Sequence, residues 1–218
     1  TDRNVGMEAG ISTLGIIATG GYDPGQTINN VEEWNGSAWT EVGDLNKSKA
    51  QGAASGTYTA GVIFGGFTFP GAPPTYTIIA ETETWNGSSW TETTDLNSSR
   101  YTNAAAIGGP STATITFGRA NQSPDSIVES WDGSSWTEVG DLNEGRESPG
   151  GAGTQTAAMA FGGTPNAALN EIWNGSSWTE ANDLGTGRSQ SGNAGATNTS
   201  ALAFGGANPG YTNVAEQF

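Results

Sequence analysis

Trp34-Asn35-Gly36-Ser37-Ala38-Trp39-Thr40-Glu41 recurs three more times with small changes, at 85–92, 131–138 and 173–180. All eight tryptophans of the 218-residue chain lie in these cassettes: Trp34 and Trp39, Trp85 and Trp90, Trp131 and Trp136, Trp173 and Trp178. The turn inside each is Asn-Gly or Asp-Gly, the strongest short-range hairpin signal, because these residues accept positive φ at little steric cost. A two-residue loop pairs Trp34 with Ser37. A four-residue loop pairs Trp34 with Trp39. Both registers put the two tryptophans on one face of a hairpin, since side chains alternate along a strand. Two large aromatics on one face need a flat apolar neighbour, most simply an adjacent sheet.

Successive first tryptophans stand 51, 46 and 42 residues apart, and a further 45 residues on Glu216-Gln217-Phe218 repeats the Glu-x-Trp pattern with Phe in the Trp place. Before each hairpin comes a small-residue stretch, as at 53–57, 151–155 and 194–198, then a strand closing on Gly-Gly, as at 62–66, 159–163, 202–206 and 16–21. Two strands plus a hairpin make four per unit. A period in the forties built only of short strands is the signature of a propeller blade, and small residues suit strands crowded toward a central axis. The expected fold is all-β: one propeller domain over 1–218, with repeats at about 3–48, 49–99, 100–145, 146–187 and 188–218. Five blades of about four antiparallel strands follow, the last incomplete in this chain.

Each unit closes with Asp-Leu-x-x-x-basic, ending at Lys49, Arg100, Arg146 and Arg188, with Arg3 as the tail of the same element. The order of Gly-Gly strand, acid before Trp, second Trp, Leu and basic residue resembles the kelch repeat of β-propellers over essentially the whole chain. Unit 3 departs from it, with Gly118-Arg119 in place of Gly-Gly, and the turns are unusually uniform. Such near-identical copies are also similar to repeat proteins of tailed phages and marine microbes. We expect the repeat arginine to tie neighbouring blades together through carbonyl or carboxylate hydrogen bonds.

The net charge is −15, from 22 acids against seven basic residues, and thirteen of the acids are repeat positions. Nucleic acid is excluded as a partner, because affinity for it comes from neutralising phosphates with Lys and Arg. The same balance argues against anionic membrane, and no apolar run approaches membrane-spanning length. No targeting segment or lipidation motif is read. With no cysteine and no histidine, the chain offers no disulfide, thiol nucleophile, His-assisted triad or common zinc site. The copper chemistry of the kelch-like enzyme galactose oxidase needs His and Cys and does not carry over.

Paired carboxylates could serve glycoside hydrolysis, yet here the acids recur in every unit, whereas an active site breaks symmetry. No catalytic residue is assigned. Rings of carboxylates also offer oxygen ligands of the kind calcium takes. Their competing reading, as solvent-facing groups or partners of the repeat arginine, is the one adopted, so no cofactor is expected and calcium stays the alternative. Asn35, Asn86 and Asn174 each open an Asn-Gly-Ser acceptor sequence, which turn chemistry explains without glycosylation.

Function is sought where the repeat is not kept. The connection from the Gly-Gly strand to the hairpin varies in length, and it carries most of the aromatics outside the cassettes. Loops on a rigid scaffold concentrate binding residues. The candidate ligand-binding residues are Tyr22, Phe67, Phe69, Tyr76, Arg119 and Tyr211. For Phe67 and Phe69 the opposing reading is that they cap the core under a long loop. The expected function is non-enzymatic binding by a virion- or cell-surface appendage, adhesin-like and extracellular. It would recognise a host-surface glycan or another structural protein, as a homo-oligomer or part of a larger assembly. An intracellular kelch-type interaction module is the alternative, and a glycan-active enzyme the third reading.

Overall fold

The computed structural model describes residues 7–11, 14–23, 26–69, 75–118, 125–165, 167–207 and 210–218, without the side chains of 10–19, 22 and 23. Arg3, Arg119 and the loop prolines Pro24, Pro70, Pro73, Pro74, Pro124 and Pro209 lie outside the described residues. Among the described residues every regular element is a strand.

Blade 1 is an antiparallel meander of β1 (Met7–Ile11), β2 (Leu14–Thr19), β5 (Val31–Trp34) and β6 (Trp39–Glu41). A two-residue ribbon, β3 (Tyr22–Asp23) with β4 (Gln26–Thr27), sits in its long connection. Blade 2 repeats the plan with β7 (Ala53–Thr57), β8 (Ala60–Phe64), β11 (Thr82–Trp85) and β12 (Trp90–Glu92), and with the ribbon β9 (Phe67–Thr68) and β10 (Thr77–Ile78). Blade 3 comprises β13 (Ala104–Ala105), β14 (Thr114–Phe117), β15 (Val128–Trp131) and β16 (Trp136–Glu138). Blade 4 comprises β17 (Gly150–Thr154), β18 (Ala157–Phe161), β19 (Asn170–Trp173) and β20 (Trp178–Glu180). Blade 5 has three strands, β21 (Gly192–Thr197), β22 (Ser200–Phe204) and β23 (Ala215–Gln217). The chain packs as two compact units, one formed by Thr1–Tyr101, Pro110–Thr112 and Gly133–Trp136, the other by Thr102–Gly109, Ala113–Asp132 and Thr137–Phe218.

The hairpin register is Trp34 opposite Trp39, Trp85 opposite Trp90 and Trp173 opposite Trp178, so the loop has four residues. The paired rings lie 5.5, 5.3 and 5.4 Å apart between centroids. The asparagine sets the loop length. Asn35 Oδ1 accepts from Ser37 N, Ser37 Oγ and Ala38 N at 2.9–3.0 Å, and Asn86 and Asn174 do the same in their loops. An Asx side chain closing on backbone two and three residues ahead is the ordinary way such turns satisfy their N–H groups.

The Gly-Gly pair ends the second strand of a blade in a conformation that side chains resist. Gly162 and Gly163 have φ of 65° and 88°, and a Cβ on Gly163 would stand 2.8 Å from the Glu147 carbonyl oxygen. Here Gly163 N donates to the Arg188 carbonyl at 2.9 Å, as Gly66 N does to Arg100 at 2.7 Å and Gly21 N to Lys49 at 2.9 Å. The basic residue is thereby anchored by its backbone to its own blade while its side chain reaches the next.

Apolar clusters lie at the seams between consecutive blades. In the first unit Met7, Val31 and Leu45 of blade 1 pack with Ala54, Ile63, Trp85 and Trp90 of blade 2. In the second, Phe117, Val128 and Leu142 of blade 3 pack with Ala158, Ala160, Trp173 and Trp178 of blade 4. Phe161 and Leu184 of blade 4 pack with Ala201 and Ala203 of blade 5. Phe218, in the place of a first tryptophan, meets Phe161 at 5.0 Å. The leucine of the Asp-Leu element and the tryptophan hairpin are thus two sides of one joint. The burial expected of the cassette tryptophans fails in blade 1, where Trp34 is half-buried and Trp39 is 48% exposed.

Candidate functional site

Two kinds of polar or aromatic assembly stand out among the described residues. The first is the seam ion pair. Arg146, buried at the end of unit 3, sends Nη2 to the Glu171 carboxylate and Nη1 to the carbonyls of Leu169 at 3.0 Å and Gly162 at 3.4 Å. Burial pulls its pKa below the ordinary arginine value, and Glu171 opposes that shift. Arg188 repeats the contacts with Glu216, Val214 O at 2.7 Å and Gly205 O at 3.4 Å. The other oxygens of the same glutamates receive the preceding loop: Asn143 N and Nδ2 donate to Glu171 at 2.8 and 2.7 Å. Blade 2 differs. Lys49, fully buried, places Nζ 3.0 Å from Glu83 Oε1 but off the line of a hydrogen bond. These acids are built into joints, which bears on any reading of them as catalysts. Among the described residues no group of three or more acids lies together as a cation site.

The second assembly is the loop cluster of blade 2. Gly65-Gly66 delivers the chain into β9, whose Phe67 exchanges backbone hydrogen bonds with Ala50 at 2.9 and 3.0 Å. β9 and β10 pair Phe67 with Ile78 and Thr68 with Thr77. Around Phe67 stand Phe69 and Tyr76, each at 5.5 Å, and Tyr101 at 6.0 Å. Tyr76 and Tyr101 lie 5.8 Å apart with their hydroxyls 3.4 Å from each other. Edge-on and tilted pairs at these distances contribute about 0.5–1.5 kcal/mol each beyond area burial. Phe67, Phe69 and Tyr101 are half-buried, whereas Tyr76 is 46% exposed. A line of hydroxyls adjoins them. Thr27 Oγ1 lies 3.1 Å from Ser48 Oγ and 3.2 Å from Thr68 Oγ1, and Phe69 N donates to it at 3.5 Å. A partly open aromatic surface beside hydroxyls suits a ligand with one apolar face and polar edges.

Of the residues singled out in the sequence, Phe67, Phe69 and Tyr76 come together. Tyr22 contributes backbone to β3, opposite Thr27, and its side chain is not described. Arg119 lies outside the described residues. Tyr211 stands on the corresponding loop of blade 5, 97% exposed. Tyr101 escaped the sequence reading because it follows the repeat arginine, a position classed with the scaffold. Its signal was present: the equivalent residues are Ala50, Glu147 and Ser189, so it is the one aromatic there.

These meanders and seams define the class: the chain is a β-propeller. It is similar in structure to the solved protein described as YjhT, with a TM-score of 0.80 over 99% of this chain and 81% of that one, at 13% sequence identity. No protein-family model and no curated protein sequence matches the chain.

Proposed function

We propose that the chain is a non-enzymatic binding protein of a virion or cell-surface appendage, kelch-like in its repeat, whose ligand docks on the aromatic loop cluster of blade 2. The observation that carries this is the grouping of Phe67, Phe69, Tyr76 and Tyr101 with one ring left open to solvent beside the hydroxyls of Thr27, Ser48 and Thr68. Sugar rings present an apolar face that stacks on aromatics and hydroxyls that hydrogen-bond at the edge, so a host-surface glycan is the favoured ligand. A protein partner anchored on Tyr76 is the other member of the class. The non-enzymatic reading is supported by Glu83, Glu171 and Glu216, which are spent on repeated interblade joints. The uniform turns, similar to those of tailed-phage repeat proteins, support the appendage. Weak single sites would act there by multivalent contact.

A glycan array on the purified chain, run with calcium and again with chelator, tests the proposal. Binding to a defined glycan class, lost in Tyr76→Ala and Phe69→Ala with the far-ultraviolet spectrum unchanged, supports it. A blank array, or binding that survives both substitutions, refutes the glycan site. Loss of binding on chelation would return the carboxylate rings to consideration as a calcium site.

A further inference from the structure

The Asn-Gly turns of the tryptophan hairpins carry a chemistry of their own. Asn35-Gly36, Asn86-Gly87 and Asn174-Gly175 are exposed to water. An asparagine side-chain amide is open to attack by the backbone nitrogen of the next residue, and glycine, with no Cβ, crowds that nitrogen least. The N–H groups of Gly36, Gly87 and Gly175 donate to no protein acceptor among the described residues, so no hydrogen bond has to break before attack.

The turn also prepares the group attacked. Asn35 Oδ1 accepts from Ser37 N and Ser37 Oγ at 2.9 Å and from Ala38 N at 3.0 Å. Asn86 and Asn174 repeat these contacts at the same distances. When a nitrogen adds to the amide carbon, negative charge develops on that same oxygen. A hydrogen bond to an ionised oxygen is stronger than one to a neutral oxygen. The three donors therefore stabilise the tetrahedral intermediate more than the resting amide, which is the condition for acceleration.

We propose that these turns are self-modification sites, at which the glycine nitrogen displaces the asparagine amide nitrogen, and that Asn35 reacts fastest of the three. A bond forms from Gly36 N to Asn35 Cγ, and the bond from Cγ to Nδ2 breaks. The glycine proton leaves with Nδ2 as ammonia. Water then opens the cyclic imide at one of its two carbonyls, giving aspartate or isoaspartate, so one water is consumed for each ammonia released. Asn35 differs in its leaving group. Asn86 Nδ2 and Asn174 Nδ2 each donate to a serine Oγ at 3.3 Å, that of Ser89 and of Ser177. Ala38 stands in that place in blade 1, and Asn35 Nδ2 has no such bond to lose as it departs. Blade 3 shows that the turn accepts the acid: Asp132 occupies the asparagine place, and Gly133 keeps a φ of 95° against 93°, 92° and 95° at Gly36, Gly87 and Gly175.

The test is incubation of the chain in mildly alkaline heavy-oxygen water, folded and guanidinium-unfolded, followed by peptide mass spectrometry. The heavy oxygen marks only product formed during incubation. The expected result is that Asn35 outpaces Asn86 and Asn174 in the folded chain, reacts faster there than in denaturant, and loses its lead on unfolding. Ser37→Ala removes one donor and should slow Asn35 about fivefold in the folded chain, the rate equivalent of about 1 kcal/mol, with no change in denaturant. Ala38→Ser should bring Asn35 down to the rate of Asn86, and Ser89→Ala should raise Asn86 to that of Asn35. All three substitutions fall on exposed loop positions, and thermal unfolding reports whether each variant keeps its fold. Folded wild-type chain in which Asn35 reacts no faster than in denaturant overturns the proposal, whatever the variants do. So does a Ser37→Ala rate equal to wild type, or an order of the three sites that the two serine exchanges leave unchanged.

Discussion

Replacing Lys49 by arginine should stabilise the protein. At the equivalent places Arg146 and Arg188 each reach two backbone carbonyls of the following blade besides its glutamate. The matching carbonyls in blade 2 are those of Gly65 and Glu81. Gly65 N donates to Glu81 O at 3.1 Å as Gly162 N does to Leu169 O at 2.9 Å and Gly205 N to Val214 O at 3.1 Å. Lys49 Nζ, buried and 3.0 Å from Glu83 Oε1, makes no well-directed hydrogen bond. The two side chains lose similar rotamer entropy on ordering, and the arginine fork loses less per bond formed. Hydrogen bonds to charged groups contribute about 1.5–3 kcal/mol each. One of the two is long in both arginine joints, so a net gain of about 1–2 kcal/mol is expected for Lys49→Arg. For a domain of this size each kcal/mol moves the midpoint by about 2–4 °C. Arg146→Lys should lose a similar amount. Arg146→Met, which leaves the Glu171 carboxylate buried without its partner, should cost about 3–5 kcal/mol. Urea unfolding followed by tryptophan fluorescence, with the denaturant slope unchanged, measures all three. A Lys49→Arg variant no more stable than wild type, together with an Arg146→Lys variant no less stable, would refute the reasoning.

Thr102 adopts a φ of 52° with its hydroxyl buried and unpartnered. Left-handed backbone costs a residue with a Cβ about 1–2 kcal/mol, and glycine repays part of that in the unfolded chain. Thr102→Gly should therefore raise stability by about 0.5–1 kcal/mol in thermal or urea unfolding, and a loss would contradict the strain argument. Trp136 Nε1 donates to Thr82 Oγ1 at 3.0 Å in a buried joint, so Thr82→Val should cost about 1–3 kcal/mol through the orphaned indole N–H. No measurable change in urea midpoint would sink that assignment. Lys47 Nζ lies 2.7 Å from Glu81 Oε1. Burial pushes the Glu81 pKa up, but the Lys47 hydrogen bond and charge outweigh it, and the carboxyl sits below its usual value of 4.5. The Glu81 hydrogen bond raises the Lys47 pKa. A lowered carboxyl pKa gives stability present above the unfolded value and lost as pH falls through the folded one. A Lys47→Ala, Glu81→Ala double-mutant cycle should give a coupling below about 1 kcal/mol near neutrality, since Lys47 is exposed, vanishing on the acid side of the carboxylate range. Coupling that persists in acid would show that charge is not its source.

The blade plan was legible because three features repeat in one order. The Gly-Gly stop, the Asn-Gly hairpin and the Asp-Leu-basic tail each have a local physical meaning. The hairpin loop length was not legible, because both registers put the tryptophans on one face and the sequence pattern is indifferent between them. Asn35 Oδ1 decides it by accepting three bonds across a four-residue loop. The expected tie from the repeat arginine to the next blade is present at Arg146 and Arg188. Of the loop cluster, Phe67, Phe69 and Tyr76 were readable as residues that break the repeat. Tyr101 was hidden in a repeat position and reaches them only because that position follows the seam arginine.

By itself the sequence determined what each blade is, since strand alternation, turn chemistry and glycine conformations act within a few residues of one another. Only the tertiary structure decided what each repeated residue does. Trp39 and Trp90 belong to matching cassettes and form the same ring pair, yet Trp39 is 48% exposed and Trp90 8%. Lys49 and Arg188 end matching units, yet they differ in how well their buried charge is satisfied. The reason is that a blade buries a face only against another blade. The fate of a repeated side chain depends on its neighbour across the seam, which lies some forty residues away in the chain and in no local pattern.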